Sequence, residues 1–448
     1  MRKKKNIFTL IELLAVIVIL AVILAVILVI SIPRILDVIE TSKKDSFKNA
    51  AQIIADSAEK KKASNKLLDK DESIACKDVA KINIDDYGNC IIKFDENGTA
   101  KVSISGKGKF EGLVVVNGTK TSAEVVRLES PEYGVATTYI ENLYNDEALR
   151  MVNGLKKDNT EDTNIRYYGA NPNNYVSFNN ELWRIIGVFN DNVKLIRKDS
   201  LGWLSWDTSE STVNSGYGIN QWGESKDTSG NIYEGADLQV YLNKMYYGGI
   251  EVTCYNDLNN TKTTCPKDSN GNFLELDDVA KNLIDNHTWN IGAMRYISRT
   301  NTLTFYQAER GSVHGKSSCS SGNQCNDTII RTTEWTGYVG LPYVTDWAYA
   351  SSEGICETNM ATQDSSNNYI CKNNNWMQKS ILAWYLLPVT TSSGACYAWY
   401  VNKTGDPAGN YTYGLGGVIP AVYLKSDVFV TGGLGTSDNP YKLWLSEN

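Results

Sequence analysis

Histidine is nearly missing from this sequence: His287 and His314 are the only two among 448 residues. A multi-histidine metal centre is thereby excluded, and a Cys-His or Ser-His dyad has few places to form. The strings G-x-S-x-G and H-E-x-x-H and the phosphate-binding loop are absent as well. There is no basic excess either, since Lys+Arg 44 against Asp+Glu 51 gives −7. Arg2, Lys3, Lys4 and Lys5 supply part of the positive charge, so the rest of the chain is more acidic still. Nucleic acid is therefore not an expected partner, because phosphate binding needs clustered cations. At 21% charged and 42% hydrophobic the composition is that of a globular protein, not of a disordered acidic chain. Aromatics are scarce only at the front. Before residue 165 there are Phe8, Phe47, Tyr87, Phe94, Phe110, Tyr133, Tyr139 and Tyr144, whereas all 11 Trp stand at or after Trp183. Two unlike regions follow, within a length that suits two or three domains of about 150 residues.

The run Leu13–Ile32 carries no charge and is nearly all Leu, Ile, Val and Ala. As a helix rising about 1.5 Å per residue it would span roughly 30 Å, the thickness of a bilayer core. With the basic cluster before it, the rule that positive charge stays inside places the N-terminus in the cytoplasm and the rest outside. The expectation is a basic leader over 1–7 and a transmembrane helix over 8–35. Beyond Pro33 the spacing of Phe47, Ala50, Ala51, Ile54 and Ala58 predicts an amphipathic helix to about Leu68. Strand periodicity then takes over. Cys90–Phe94 and Ala100–Ile104 flank Asn97-Gly98, and Phe110–Val116 and Ser122–Leu128 flank Asn117-Gly118, two hairpin signals. Residues 36–135 thus read as a stem helix with a small antiparallel sheet. Residues 136–164 read as a connector, with a helix over Tyr139–Leu155 and a polar linker. In 165–448, runs over Tyr175–Phe178, Leu182–Phe189 and Val193–Arg197, parted by Asn179-Asn180 and Asn190-Asp191-Asn192, predict a meander that opens a turn-rich head.

The segment Phe8-Thr9-Leu10-Ile11-Glu12-Leu13-Leu14-Ala15-Val16-Ile17 after a basic leader resembles the N-terminal methylation motif of type IV pilins and pseudopilins. The resemblance implies cleavage before Phe8 by a prepilin peptidase, with Glu12 pairing to the terminal amine of a neighbouring subunit. Ile7 stands where that family has Gly. If this blocks cleavage, the protein stays anchored and does not polymerise. The block Tyr168–Val176 with Asn180–Val188, and the ending Pro420–Ser426 with Gly432-Gly433 and Asn439–Tyr441, resemble the exported head of pilin-like surface proteins of Gram-positive bacteria. The tail is also similar to C-type-lectin-like domains of the formylglycine-generating-enzyme type. The fold class implied is α+β: a long N-terminal transmembrane and stem helix on a small pilin-like sheet, then a loop-rich C-type-lectin-like head. That enzyme type depends on paired cysteines near the C-terminus, and Cys396 has no second cysteine beyond it.

Of nine cysteines, eight fall into neighbouring pairs: Cys76 with Cys90, Cys254 with Cys265, Cys319 with Cys325 and Cys356 with Cys371. An exported location permits disulfides there. Metal binding is the weaker alternative, because no C-x-x-C occurs. Cys396 is left over. Asp268–Asn272 starts like a calcium loop but puts Phe273 where such a loop needs Gly, so it reads as a turn, and no cofactor or metal is expected. Binding chemistry is expected from aromatics in Gly/Asn/Ser-rich loops: Trp376, Tyr397, Trp399, Tyr400, Tyr411 and Tyr413. The functional expectation is a membrane-anchored pilin-like surface protein, a minor pilin or adhesin at the cell membrane or in a pilus. Its partners would be the membrane, other pilin subunits, the prepilin peptidase and a surface glycan or protein. The alternatives are a tethered extracellular enzyme built around Cys396, His287 or His314, and a pseudopilin of a secretion or DNA-uptake system.

Overall fold

The computed structural model describes residues 10–67, 74, 76–79, 83, 86–127, 132–208, 219–256, 261–294, 301–311, 329–379, 383–390 and 397–445, with side chains from Val38 onward. The chain forms two compact units, Met1–Tyr87 with Ile91–Leu128, and Gly88–Cys90 with Glu129–Asn448.

In the first unit the helix α1 (Leu10–Leu67) precedes four antiparallel strands in the order β1 (Tyr87–Phe94), β2 (Ala100–Gly106), β3 (Leu113–Gly118) and β4 (Val125–Arg127). From Val38 onward α1 is amphipathic. Phe47, Ala51, Ile54, Ala55 and Ala58 are fully buried, and their counterparts on the sheet are Ala100, Val102 and Val115. Small residues at three- and four-residue spacing let the helix lie close on the strands. Polar ties fix the register: Glu59 accepts from the Ala100 backbone N–H at 3.1 Å, and Arg127 grips the Glu40 carboxylate through two nitrogens. The Asn97-Gly98 hairpin forms as expected, but Asn117-Gly118 ends β3 instead of making the turn, which falls on Thr119–Ser122.

The second unit carries most of the chain on several sheets. Its first sheet is nine-stranded. The helices Ala136–Asn145 and Glu147–Asn153 precede β5 (Leu155–Lys157), where the sequence had suggested one continuous helix. Then follow β6 (Ile165–Tyr167), β7 (Tyr175–Phe178), β8 (Glu181–Phe189) and β9 (Asn192–Arg197), the last three being the predicted meander. Positive φ at Asn179, Asn180 and Asn190 makes its two turns. C-terminal strands close the sheet on both sides, Ala421–Tyr423 antiparallel to β9 and Tyr441–Leu445 parallel to β7. Gly187 sits where the β8/β9 register shifts, and a Cβ there would come within 2.2 Å of the Ile165 carbonyl oxygen, so only glycine lets β6 and β8 approach. The second sheet has six strands, ordered β10 (Trp203–Ser205), Leu415–Gly417, Trp384–Thr390, Tyr397–Val401 and Pro407–Tyr411, with Ala293–Met294 beside the third.

One turn design recurs. At Asp95–Thr99, Asp227–Asn231, Asp268–Asn272 and Asp364–Asn368 the leading carboxylate accepts the backbone N–H groups two and four residues on. The fourth residue of each, Gly98, Gly230, Gly271 or Asn367, has positive φ. Asn402 plays the same part over Asn402–Asp406. The Asp268 segment is therefore a turn, its carboxylate already engaged by N–H donors.

Two expectations are corrected. The architecture is mainly β-sheet in several sheets, with α-helices of 4 to 10 residues after α1 among the described residues, and not an α+β chain led by a transmembrane stem. Among the described residues no helix is long and apolar enough to cross a membrane, which runs against the transmembrane helix over 8–35 and the single-pass localisation with an exported head. From Val38 onward the described side chains of α1 are buried on one side and exposed on the other, the pattern of a helix with a sheet on one face and water on the other. Ile7 and Phe8 lie outside the described residues, as do the surroundings of Glu12 and of the run Leu13–Ile32.

Candidate functional site

The six aromatic candidates separate by burial. Trp376 is 6% exposed, its indole N–H donates to the Tyr167 carbonyl at 2.9 Å and its ring covers Arg184. Trp399 is fully buried against Phe305, ring centroids 4.9 Å apart. Both are core. Tyr397, Tyr400, Tyr411 and Tyr413 are half-buried. Tyr397 faces Tyr411 across the antiparallel pair Tyr397–Val401 and Pro407–Tyr411, centroids 4.3 Å apart, and Tyr411 stacks on Tyr413 at 4.8 Å. The row is held from beneath: the fully buried Tyr385 donates its hydroxyl to the carbonyls of Tyr411 and Gly414 at 2.6 and 2.7 Å, and Ser205 donates to that of Tyr413 at 2.7 Å. In the same sheet Leu415 and Trp203 remain about half exposed, at 47% and 49%. The arrangement is a rigid aromatic row on a sheet whose other large side chains are mostly buried, a surface suited to contact through rings of low conformational freedom.

The ionisable chemistry lies elsewhere, in the core. Arg166 donates through Nε to Asp158 at 2.6 Å and through Nη1 to Asp346 at 2.8 Å, while Lys194 donates to the other Asp346 oxygen at 2.7 Å. All four side chains are at most 1% exposed. Phe189 and Tyr349 sandwich the guanidinium, each 4.7 Å away, and Tyr343 lies 3.8 Å from the ammonium. Burial pushes Lys194 down to about 8 although Asp346 opposes it, whereas Lys194 and Arg166 hold Asp346 below the usual carboxylate range against its own burial. Glu309 accepts the Thr345 hydroxyl at 2.5 Å and its N–H at 3.2 Å, and burial raises it to about 7. Charges so enclosed and so paired are cross-braces between β6, β9 and the helices Thr302–Gly311 and Val344–Tyr349. Above them is a polar recess of about 320 Å³ lined by Glu141, Tyr144, Lys157, Asp162, Thr163 and Asn190, among others. Thr163 there has φ 48°, unusual for a β-branched residue.

Of the two histidines, His287 stacks on Tyr423 at 3.8 Å and shares Nδ1 with Asp285 at 3.0 Å. Among the described residues no Ser, Thr or Cys side chain bonds to it. His314, Cys319, Cys325 and Cys396 lie outside the described residues. Disulfides join Cys254 to Cys265 and Cys356 to Cys371, and Cys76 and Cys90 are likewise disulfide-bonded. Sequence reasoning missed the buried ions and the Arg184 guanidinium against Trp376. The signal was present: Lys194 interrupts Val193-Lys194-Leu195-Ile196 and Arg184 interrupts Trp183-Arg184-Ile185-Ile186, charges inside apolar strands that leave no wet face. Comparison with family models, with curated proteins and with solved structures found no match to the chain.

Proposed function

We propose that the protein recognises a ligand through the tyrosine row Tyr397, Tyr411 and Tyr413, and that it binds without transforming what it binds. The observation that carries this reading is the half-buried row of rings in mutual contact, braced by Tyr385 and Ser205. The strongly perturbed groups Lys194 and Glu309 support it from the other side, because they are enclosed in the core and are turned to protein partners. Tyr397 lies tilted against Tyr411 and Tyr413 stacks on it, so the row combines aromatic carbon with phenolic oxygen. This favours a ligand with both polar and apolar surface, a glycan or a surface protein, as in adhesion.

The test is an array of glycans and cell-surface proteins probed with the whole chain, against a panel of hydrolase substrates. Tyr411→Ala removes the middle ring and is expected to weaken binding by about 1–2 kcal/mol, roughly tenfold, while the melting temperature holds within a few degrees. Undiminished binding by Tyr411→Ala, or turnover of a substrate without binding at the row, would overturn the reading.

A further inference from the structure

Where the second unit buries cations for structure, it pairs them: Arg166 has Asp158 and Asp346, and Lys194 has Asp346. Arg184 breaks that pattern. It is only 6% exposed, on β8, opposite Tyr175 of β7. Its Nε donates to Asn174 Oδ1 at 2.7 Å and its Nη2 to the Pro172 carbonyl at 3.3 Å, both neutral acceptors. The rings of Tyr175 and Trp376 cover it at 4.2 and 4.5 Å. Among the described residues no carboxylate contacts it, and its Nη1 makes no hydrogen bond. In a chain of net charge −7 this is not for want of acids.

A second cation stands beside it. Lys379, half-buried three residues after Trp376, donates to the Lys198 carbonyl at 2.8 Å and to nothing else among the described residues. Lys198 in turn donates its backbone N–H to the carbonyl of Leu182, two residues before Arg184 on β8, so Lys379 is tied to the strand that carries Arg184. Burial and then the charge of Arg184 push Lys379 down to about 8, and burial pushes Arg184 down to about 10. The acid that bears on Lys379 is Asp199, which is 73% exposed and 3.7 Å from the Lys198 ammonium. With Lys198 partly exposed and paired to Asp199, Arg184 and Lys379 remain as two largely enclosed cations that no carboxylate among the described residues contacts, the guanidinium lying between two aromatic rings. Holding such charges out of water is unfavourable unless an anion completes them.

We propose that Arg184 and Lys379 form a binding site for an oxyanion, a carboxylate or phosphate borne by the ligand, with Tyr175 and Trp376 as its walls. Arg184 supplies a planar donor through Nη1 and Lys379 a point charge. The site is separate from the tyrosine row and does not depend on it.

The test titrates the whole chain, at low ionic strength, with inorganic phosphate, glucuronate and, as the neutral counterpart, glucose, following tryptophan fluorescence and confirming by calorimetry. Saturable binding of phosphate or of glucuronate, but not of glucose, is expected. Whichever anion titrates identifies the group. Lys379→Gln should weaken that binding about tenfold, as loss of one charge-assisted hydrogen bond does, with an unchanged circular dichroism spectrum, and Tyr411→Ala should leave it intact. Arg184→Lys, which keeps the charge but loses the planar fork, should also bind more weakly. Absence of saturable anion binding by the wild type, or equal binding by Lys379→Gln, overturns the proposal.

Discussion

Replacing Glu309 by glutamine should change how stability responds to pH near neutrality. Glu309 is 1% exposed, and burial lifts its pKa from 4.5 to about 7, with Arg310 and the Thr345 donors pulling it down and Asp346 adding to the rise. A carboxyl that holds its proton more tightly in the folded than in the unfolded chain stabilises the fold fully below the unfolded value and loses that contribution as pH rises through the folded one. At about 1.4 kcal/mol per pH unit, the rise from 4.5 to about 7 amounts to ~3 kcal/mol, lost between pH 4.5 and about 7. His287, which burial pushes below 6.5 against the Asp285 carboxylate, acts in the opposite direction in acid. The informative quantity is therefore the difference between wild type and variant. Glutamine keeps one of the two oxygens that accept from Thr345 and cannot ionise. Urea denaturation followed by tryptophan fluorescence reads the C-terminal unit alone, since every Trp lies at or after Trp183. Between pH 5 and 8 the wild type should lose ~3 kcal/mol relative to Glu309→Gln, and the variant should be the more stable protein at pH 8. Parallel pH profiles for the two proteins would refute the reasoning.

Asp346→Asn should destabilise by about 3–5 kcal/mol, because it strips the carboxylate shared by Arg166 and Lys194 and leaves a buried charge uncompensated. Adding Lys194→Met should restore part of that loss, and a strictly additive double-mutant cycle in denaturant would count against coupling. Cys254→Ser with Cys265→Ser opens a loop of sequence separation 11, which should lower the unfolding free energy by about 2–3 kcal/mol, measured against the untreated chain.

How much of this was legible in the sequence depends on the range over which each feature is determined. The hairpin at Asn97-Gly98 and the meander of β7, β8 and β9 were legible because alternating side chains and Asn turns act within ten residues. The closure of that sheet by Ala421–Tyr423 and Tyr441–Leu445 was not, since strands more than two hundred residues away carry no local mark of their neighbours. Trp376 and Trp399 lie in stretches as rich in Gly, Asn and Ser as those of Tyr411 and Tyr413, and only tertiary packing separates core rings from surface ones. Apolarity likewise suggested a bilayer span where the described helices do not provide one. The ion network escaped because Asp158, Lys194 and Asp346 meet only on folding, although a lysine within an apolar strand was the available hint.

The aspartate-led turns bear on how the molecule meets acid. The N–H groups donated to Asp95, Asp268 and Asp364, and for Asp227 chiefly the Asn231 side chain, hold all four carboxyls below the ordinary carboxylate range. A depressed value means the stabilisation is complete above the unfolded pKa and fades only as pH falls through the folded one. In mild acid, where free aspartates begin to take up protons, these four remain anions and their hairpin tips stay closed. Acidification therefore reaches an ordinary carboxylate before it touches those that shape the loops. Surface charge can thus change with pH while the loop tips keep their shape.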